Sequence, residues 1–342
     1  MNEHQISNLI NHGILKKTFP GAVALIVVDG DVLYHKAFGN RMITPKILPM
    51  ETDTIFDLAS LTKPIVIGTL IMKLVETKLV NLDKPVQHYL PEVKHNQISI
   101  LDLLTHRSGY PAWTAIYLNV SSNDQVLEFL SQIELTYKTG KKVVYSCLGY
   151  ILLGMLIERA TNMRLDQLTK EWICDPLQMT NTFYNPPEHV INKCAATEDS
   201  NSFERRKAGN YQRYDWRDSV IIGRVHDENA NYLHGISGNA GLFSTTSDLG
   251  KFCQMLIDGG GEILNQNSIN QIRKVYTSEL NSSRGIGWIV LADKSLYHTG
   301  FTGTAIRLNL KKKTYEILLT NRVHPDASDT SILEFRNKFY NF

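Results

Sequence analysis

Ser60-Leu61-Thr62-Lys63-Pro64-Ile65-Val66-Ile67-Gly68-Thr69-Leu70-Ile71-Met72-Lys73-Leu74-Val75 is the stretch on which the reading of this chain turns. Apolar residues at Ile65, Leu70, Ile71, Leu74 and Val75 carry the spacing of a buried helix, opened by Ser60. Pro64 falls in its first turn, where a missing backbone N–H costs little. Positions i and i+3 share a helix face, so the Lys63 amine can approach the Ser60 hydroxyl. A serine hydroxyl is a poor nucleophile at neutral pH without a base beside it. A lysine fills that role only where burial and nearby positive charge favour its neutral form. One S-x-x-K in a chain of this length is about what chance supplies, so the tetrapeptide alone is weak.

Outward from this helix, residues 4–17 read as a short helix closed by Phe19-Pro20-Gly21. Two apolar, β-branched runs, 22–28 and 32–38, are joined by Asp29-Gly30, a hairpin signal. Helix-spaced apolar positions recur over 100–104, 124–133 and 149–160, and a capped helix follows over 247–257. Between 181 and 235 the chain is polar, aromatic and rich in Asn, a length of irregular structure that commonly lines a site. Strand-like runs return at 286–291, 304–310 and 314–320. Strands at both ends and helices between predict an α+β fold whose sheet is built from the two termini. The expected division is 1–59 with 235–342 as one part and a mostly helical 60–234 as the other.

The 342 residues suffice for a sizeable core, and 43% hydrophobic with 20% charged residues is ordinary for a soluble globular chain. A formal net charge of +2 leaves no basic stripe. Lys311-Lys312-Lys313 follows an alternating apolar run and reads as a solvated turn, so nucleic acid and membrane surfaces are poor partners. The first twenty residues lack the apolar core of a secretory signal, and no segment is long and apolar enough to span a bilayer. A cytoplasmic location is the expectation, with a processed mature chain as the alternative. Cys147, Cys174, Cys194 and Cys253 form no C-x-x-C pair or metal-ligand spacing and read as scattered buried thiols. No cofactor or metal is called for, and nothing in the sequence sets the oligomeric state.

Two further tripeptides bear on Ser60. Tyr145-Ser146-Cys147 precedes a helical run, and its tyrosine would shuttle a proton if nearby cations lowered its pKa; alone it is most simply a core tyrosine. His298-Thr299-Gly300 lies in a strand-like segment, where glycine lets a substrate backbone approach the strand edge. In this order the three resemble the Ser-x-x-Lys, Tyr-x-x and (Lys/His)-Thr-Gly motifs of the serine β-lactamase and penicillin-binding-protein superfamily. Leu103-Leu104-Thr105-His106-Arg107-Ser108-Gly109, Tyr145 through Gly154, and Gly241-Leu242-Phe243-Ser244-Thr245 with Asp248-Leu249 are similar to class C-type members. The resemblance runs from about Phe19 to Arg322.

It implies a β-lactamase/transpeptidase-like fold, with an antiparallel sheet from both termini, an inserted helical domain and a site at their junction. It makes Ser60 the acylated nucleophile, Lys63 its base, Tyr145 the second proton-transfer group and His298 their neighbour. The backbone N–H groups of Ser60 and Phe301 would form the oxyanion hole. Thr299, Gly300 and Cys147 would meet substrate. Two departures count against penicillin turnover. Cys147 stands where β-lactamases usually carry Asn, and a thiol is a poor substitute for an amide. His298 replaces Lys, so its charge should depend on pH near neutrality.

Val225-His226-Asp227-Glu228-Asn229-Ala230, Gly238 through Ser244 and Leu319 through Pro325 together resemble one branch, the bacterial serine amidases of cell-wall recycling. These remove the peptide from N-acetylmuramic acid at the lactyl–L-alanine amide. His226, Asp227 and Glu228 are then expected in the cleft, the alternative being a loop whose charges pair with one another. His106 and Arg107 read as fixing a helix–loop corner, and Arg322 as a surface residue with carboxylate binding as the alternative. Trp113, Tyr117, Tyr211, Tyr214 and Trp216 are candidate stacking faces, though such aromatics are more often packing residues. The expected substrate is a muropeptide or another small molecule. An esterase, D-aminopeptidase, D,D-peptidase or weak β-lactamase of the same superfamily remains open. So does a sensor of cell-wall fragments or β-lactams that stops at the acyl-enzyme.

Overall fold

Gly21–Val28, strand β1, is an unbroken apolar run, and in the computed structural model it lies at the centre of a sheet covered on both faces. The structure describes residues 2–209 and 214–340. Ala22, Ala24 and Ile26 point to a layer made by the helices Glu3–Leu15 and Ile332–Tyr340. Val23, Leu25 and Val27 point the other way, into the main core beside helix Thr246–Ile257. The period of two in a strand makes both faces apolar.

After β1 come β2 (Asp31–Met42), β3 (Leu48–Pro49), β4 (Phe56–Asp57), β5 (Phe183–Tyr184) and β6 (Leu242–Ser244). The remainder are β7 (Ile289–Val290), β8 (Leu296–Thr299), β9 (Ala305–Asn309) and β10 (Thr314–Thr320). Seven form one sheet in the order β3-β2-β1-β10-β9-β8-β7, and β4-β6-β5 form a small second sheet. All strand pairings in both are antiparallel. The expected hairpin joins β1 and β2, with Asp29 and Gly30 at φ 49° and 89°, the two positive values that a tight turn matched to strand twist requires. β1 pairs with β10 from Ala22–Thr320 to Val28–Thr314, so the sheet is closed by the two ends of the chain.

Asn321 locks this closure. Buried to 1% exposure, its Oδ1 accepts the Gly21 N–H at 3.0 Å. Its Nδ2 donates to the Asn40 and Arg41 carbonyls. Residues 60–234 carry helices, including Val126–Gln132 and Cys147–Thr161, with β5 as the one named strand among the described residues. One apolar core joins Leu25 and Leu319 of the sheet to Leu152 and Leu156 of the long helix, so the two parts share an interior.

Three local features differ from the sequence reading. The Ser60 helix does not start as a regular α-helix: Ala59–Leu61 is a 3-10 turn, Lys63–Gly68 is π-helical, and α geometry begins at Thr69. Pro64 supplies no N–H to the ladder there. The run 286–291 shortens to β7, because Gly285 N–H turns back to the Trp288 carbonyl. The irregular region holds two short helices, Ser202–Lys207 and Glu228–Tyr232.

Asn321→Ala should leave the Gly21 N–H buried without a partner, lowering the unfolding free energy by about 2 kcal/mol. A fall in urea midpoint with an unchanged m-value is the expected measurement; an unchanged midpoint would show that the lock contributes nothing.

Candidate active site

The turn that presents Ser60 is strained and held. Ala59, immediately before it, has φ 46°, a left-handed conformation costing a β-carbon-bearing residue about 1–2 kcal/mol. Asp57 sustains it: Oδ1 accepts the Ala59 N–H at 2.8 Å and Oδ2 accepts the His226 N–H at 2.7 Å. Burial pushes the Asp57 carboxyl up in pKa, against these two donors. Thr302 and Thr304 hydroxyls donate to the Asp57 and Leu58 carbonyls, at 2.7 and 3.0 Å, fastening the turn to the end of β8. The approach is close enough that a Cβ on Gly300 would stand 2.4 Å from the Leu58 carbonyl oxygen. The third-motif glycine therefore admits the backbone of the turn before Ser60, while it also lines the cleft.

Lys63 is fully buried and lies on the face expected for position i+3. Its Nζ donates to Ser60 Oγ at 3.0 Å, to the Asn239 carbonyl at 2.8 Å and to Cys147 Sγ at 3.6 Å. Burial acts to lower its pKa, while the acidic neighbours Cys147 and Tyr145 act to raise it. The balance lies above the ordinary lysine value, so Lys63 rests as the ammonium. The expectation of a depressed lysine is not met in the free protein, because Cys147, Tyr145 and Asp227 around it favour the charged form more than burial opposes it.

Tyr145 stands beside it, with Lys63 Nζ 5.0 Å and the Arg284 guanidinium carbon 5.8 Å from the ring centroid. Burial dominates over these cations and raises the phenol's pKa. Behind Tyr145 packs His106, ring centroids 4.5 Å apart, whose Nδ1 accepts the Ser146 N–H at 3.1 Å. That bond places the His106 proton on Nε2. Arg107 is paired with Asp102 at 2.6 Å. His298 Nδ1 lies 3.0 Å from the Thr299 carbonyl, which can only accept, so the His298 proton is on Nδ1 and Nε2 carries a free lone pair. Burial, then the charges of Lys63 and Arg284, hold the His298 pKa well below the usual histidine value. The pH-dependent charge read from the sequence is thereby displaced: His298 stays neutral at neutral pH.

The cleft around Ser60 has two lobes. One, of about 380 Å³, is lined by Tyr145, His298, Thr299, Gly300 and three arginines, Arg284, Arg322 and Arg336. None of these guanidinium groups is ion-paired among the described residues. Arg322 and Arg336 are held only by carbonyls: Phe301 and Asp329 for the first, Gly300 and Thr304 for the second. Arg322 is buried, not a surface residue, and its pKa is pushed down to about 10, still charged at neutral pH. The second lobe, of about 220 Å³, is lined by Trp113, Cys147, Phe203, Glu204, His226 and Asp227. Phe301 stands between them, stacked on His226 and under Arg322. The backbone N–H groups of Ser60 and Phe301 make no hydrogen bond within the described residues.

Of the loop residues, His226 and Asp227 line the cleft and Glu228 does not. Glu228 is 1% exposed and takes hydrogen bonds from Arg217 at 2.6 Å, Tyr214 at 2.8 Å and Asn231 at 2.7 Å. A buried carboxylate must be compensated in this way. His226 Nε2 is tied to Glu198 at 2.9 Å. Trp113 faces the cleft with Lys207 Nζ 3.8 Å from its ring centroid, whereas Tyr117, Tyr214 and Trp216 pack on one another. Tyr211 lies outside the described residues. Asp57, Asn239, Arg284 and Glu204 escaped the sequence reading. Asn239 alone had a signal, inside the Gly238–Ser244 stretch. All four cysteines are free thiols, Cys147 half-buried and the others buried. Among the described residues no group of three or more His, Cys, Asp or Glu side chains is placed to hold a metal ion. No helix there is long and apolar enough to cross a membrane.

The model of the Beta-lactamase family matches residues 6–339. The chain belongs to the Beta-lactamase family. Its relatives there include an N-acetylmuramyl-L-alanine amidase of Bacillus subtilis, 30% identical over 91% of this chain and 79% of the relative. A putative D-alanyl-D-alanine carboxypeptidase of Escherichia coli K12 is also 30% identical, over 91% and 80%. In fold the chain is like a class C β-lactamase, with TM-score 0.79, 18% identity and coverage of 99% and 95%. It is also like an octameric penicillin-binding-protein homologue from Pyrococcus abyssi, with TM-score 0.76, 23% identity and coverage of 100% and 78%. The fold is thus β-lactamase/transpeptidase-like, and this member of the Beta-lactamase family is a serine hydrolase.

Burial, then the charge of Arg284, also holds His106 well below the ordinary histidine pKa. With both folded values depressed, the unfolded chain binds protons that the folded protein refuses, from about pH 6.5 downward. Stability should therefore fall as pH drops from 7 to 5. Neither ring should titrate by NMR above pH 6, and an inflection from His298 near 6.5 would contradict this geometry.

Proposed function

We propose that this hydrolase is an amidase acting on muramyl-peptides at the lactyl–L-alanine bond, through an acyl-enzyme on Ser60. The observation that carries the reading is the contrast between the two lobes that meet at Ser60. Three arginines without carboxylate partners suit an acidic peptide as leaving group. Trp113, Phe203 and Phe301, with polar groups between them, suit a sugar ring on the acyl side. The relationship to an enzyme named N-acetylmuramyl-L-alanine amidase adds to it.

In this mechanism Lys63 must first lose a proton, so kcat/KM rises with pH through its ionisation. Neutral Lys63 takes the Ser60 proton as Oγ attacks the carbonyl carbon. Charge on the former carbonyl oxygen is met by the N–H groups of Ser60 and Phe301. The C–N bond then breaks, and the departing amine receives a proton relayed through Tyr145. Water repeats the sequence on the ester, its proton passing to Lys63, and releases the acid. His298, neutral, offers Nε2 as an acceptor beside Tyr145. Cys147 lies against the acyl group and supplies little hydrogen bonding.

The test is incubation with N-acetylmuramyl-L-alanyl-D-isoglutamine, followed by mass spectrometry. Wild type should release N-acetylmuramic acid and Ser60→Ala none. Arg284→Gln should lower kcat/KM by about 10–100-fold, the loss of one charge-assisted contact. No release, with Ser60-dependent ester hydrolysis intact, would refute the assignment. The arginine lobe also favours a second reading, a D,D-carboxypeptidase binding a C-terminal carboxylate; release of D-alanine from an N-acetylmuramyl-pentapeptide would select it.

A further inference from the structure

Glu204 has no part in the chemistry above, yet it lines the smaller lobe together with Ser60, Trp113 and Asp227. It sits in the middle of helix Ser202–Lys207, whose start is held by Glu198 Oε1 accepting the Ser202 hydroxyl at 2.7 Å and the Phe203 N–H at 2.8 Å. The side chain is nearly enclosed, with the residue 6% exposed. Its Oε2 accepts the Glu228 N–H at 2.9 Å, whereas its Oε1 is buried and has no hydrogen-bond partner among the described residues. Buried polar atoms in folded proteins are nearly always satisfied, so an orphan at the wall of a cleft marks a place for a ligand atom.

We propose that Glu204 determines specificity on the acyl side, donating a hydrogen bond from Oε1 to an uncharged oxygen of the acyl group, such as the carbonyl or hydroxyl of an amino sugar. This deepens the muramyl reading and rests on it for the identity of the sugar. The donor exists because the acid is protonated. Burial, then the neighbouring carboxylates of Asp227 and Glu228, hold its pKa well above the usual carboxylate range. Arg217, the cation that opposes them, is committed to Glu228 at 2.6 Å. Tyr117 and Tyr214 also face this carboxyl, and Lys207 and His226 line the same lobe. With Oε2 occupied by the Glu228 N–H, the proton belongs on Oε1. A neutral acid there donates to a sugar or acetamido oxygen and repels no partner, but has no use for a cation or an apolar chain.

Two chromogenic esters of similar length separate this from the muramyl assignment: p-nitrophenyl N-acetylglycinate, which carries an acyl-side carbonyl, and p-nitrophenyl valerate, which does not. The readout is the ratio of their kcat/KM values, in which titrations common to both, those of Lys63, Tyr145 and His298, cancel. Wild type should favour the acylamino ester by about tenfold, the worth of one buried hydrogen bond. Glu204→Ala should bring the ratio near one. Glu204→Gln, which keeps the volume, the acceptor for Glu228 and a donor, should retain most of it and guards against misfolding of the alanine variant. As pH rises, ionisation of Glu204 removes the donor, so the wild-type ratio should fall while that of Glu204→Gln stays level. A wild-type ratio near one, a ratio unmoved by Glu204→Ala, or the same pH dependence in Glu204→Gln would each overturn the proposal. Failure of the muramyl assignment alone would appear as absent N-acetylmuramic acid release with the ester ratio still behaving as stated.

Discussion

A lysine ammonium with no exposed surface is the constraint on which the site depends. Taking such a charge out of water is costly unless its protons find acceptors. Lys63 is met by Ser60 Oγ, the Asn239 carbonyl and Cys147 Sγ, with no carboxylate paired to it among the described residues. Each acceptor must be delivered by a different part of the chain: the turn before the helix, the loop ahead of β6, and the start of the long helix. The apolar residues from Ile65 to Leu74 exclude water around it. The polar contacts of Lys63 and the packing of the core therefore constrain the same atoms.

The turn before Lys63 shows how the fold holds strain beside Ser60. Left-handed Ala59 is kept in place by Asp57, which also holds the backbone of His226, and by hydroxyls of Thr302 and Thr304. One buried carboxylate thus links the turn before Ser60 to the loop lining the Trp113 lobe. The third motif serves as a strut for that turn as much as a wall of the cleft. Gly300 is needed there because backbone meets backbone.

Electrostatics divide the cleft. On the His298 side, carbonyl-bound arginines leave positive charge uncompensated. On the Trp113 side, carboxylates crowd together, and Glu204 relieves the repulsion by keeping its proton. Replacing a third-motif lysine by histidine does not create a switch near neutrality, because burial beside Lys63 and Arg284 keeps that ring uncharged. Arg284, from the turn before β7, brings a cation to the same lobe, 5.8 Å from the Tyr145 ring.

The hairpin of β1 and β2 and the sheet built from both termini were legible before folding, because they follow from local rules: apolar period and Asp-Gly in a two-residue turn. Ser60, Lys63, Tyr145 and His298 could be singled out because three motifs stand in a fixed order that resembles a known superfamily, and the fold brings them to one cleft. Other features needed the folded chain. Glu228 looked like its neighbours His226 and Asp227 but turned inward to Arg217, since a one-residue step on a short helix reverses what a side chain meets. Arg322 read as a surface residue because its partners are backbone carbonyls, which no sequence pattern displays. Asp57 and Glu204 carried no motif at all; their roles arise from contacts to residues 169 and 24 positions away. Protonation was likewise beyond the sequence, because the charge of Lys63, His298 and Glu204 depends on burial and on neighbours that only folding brings together.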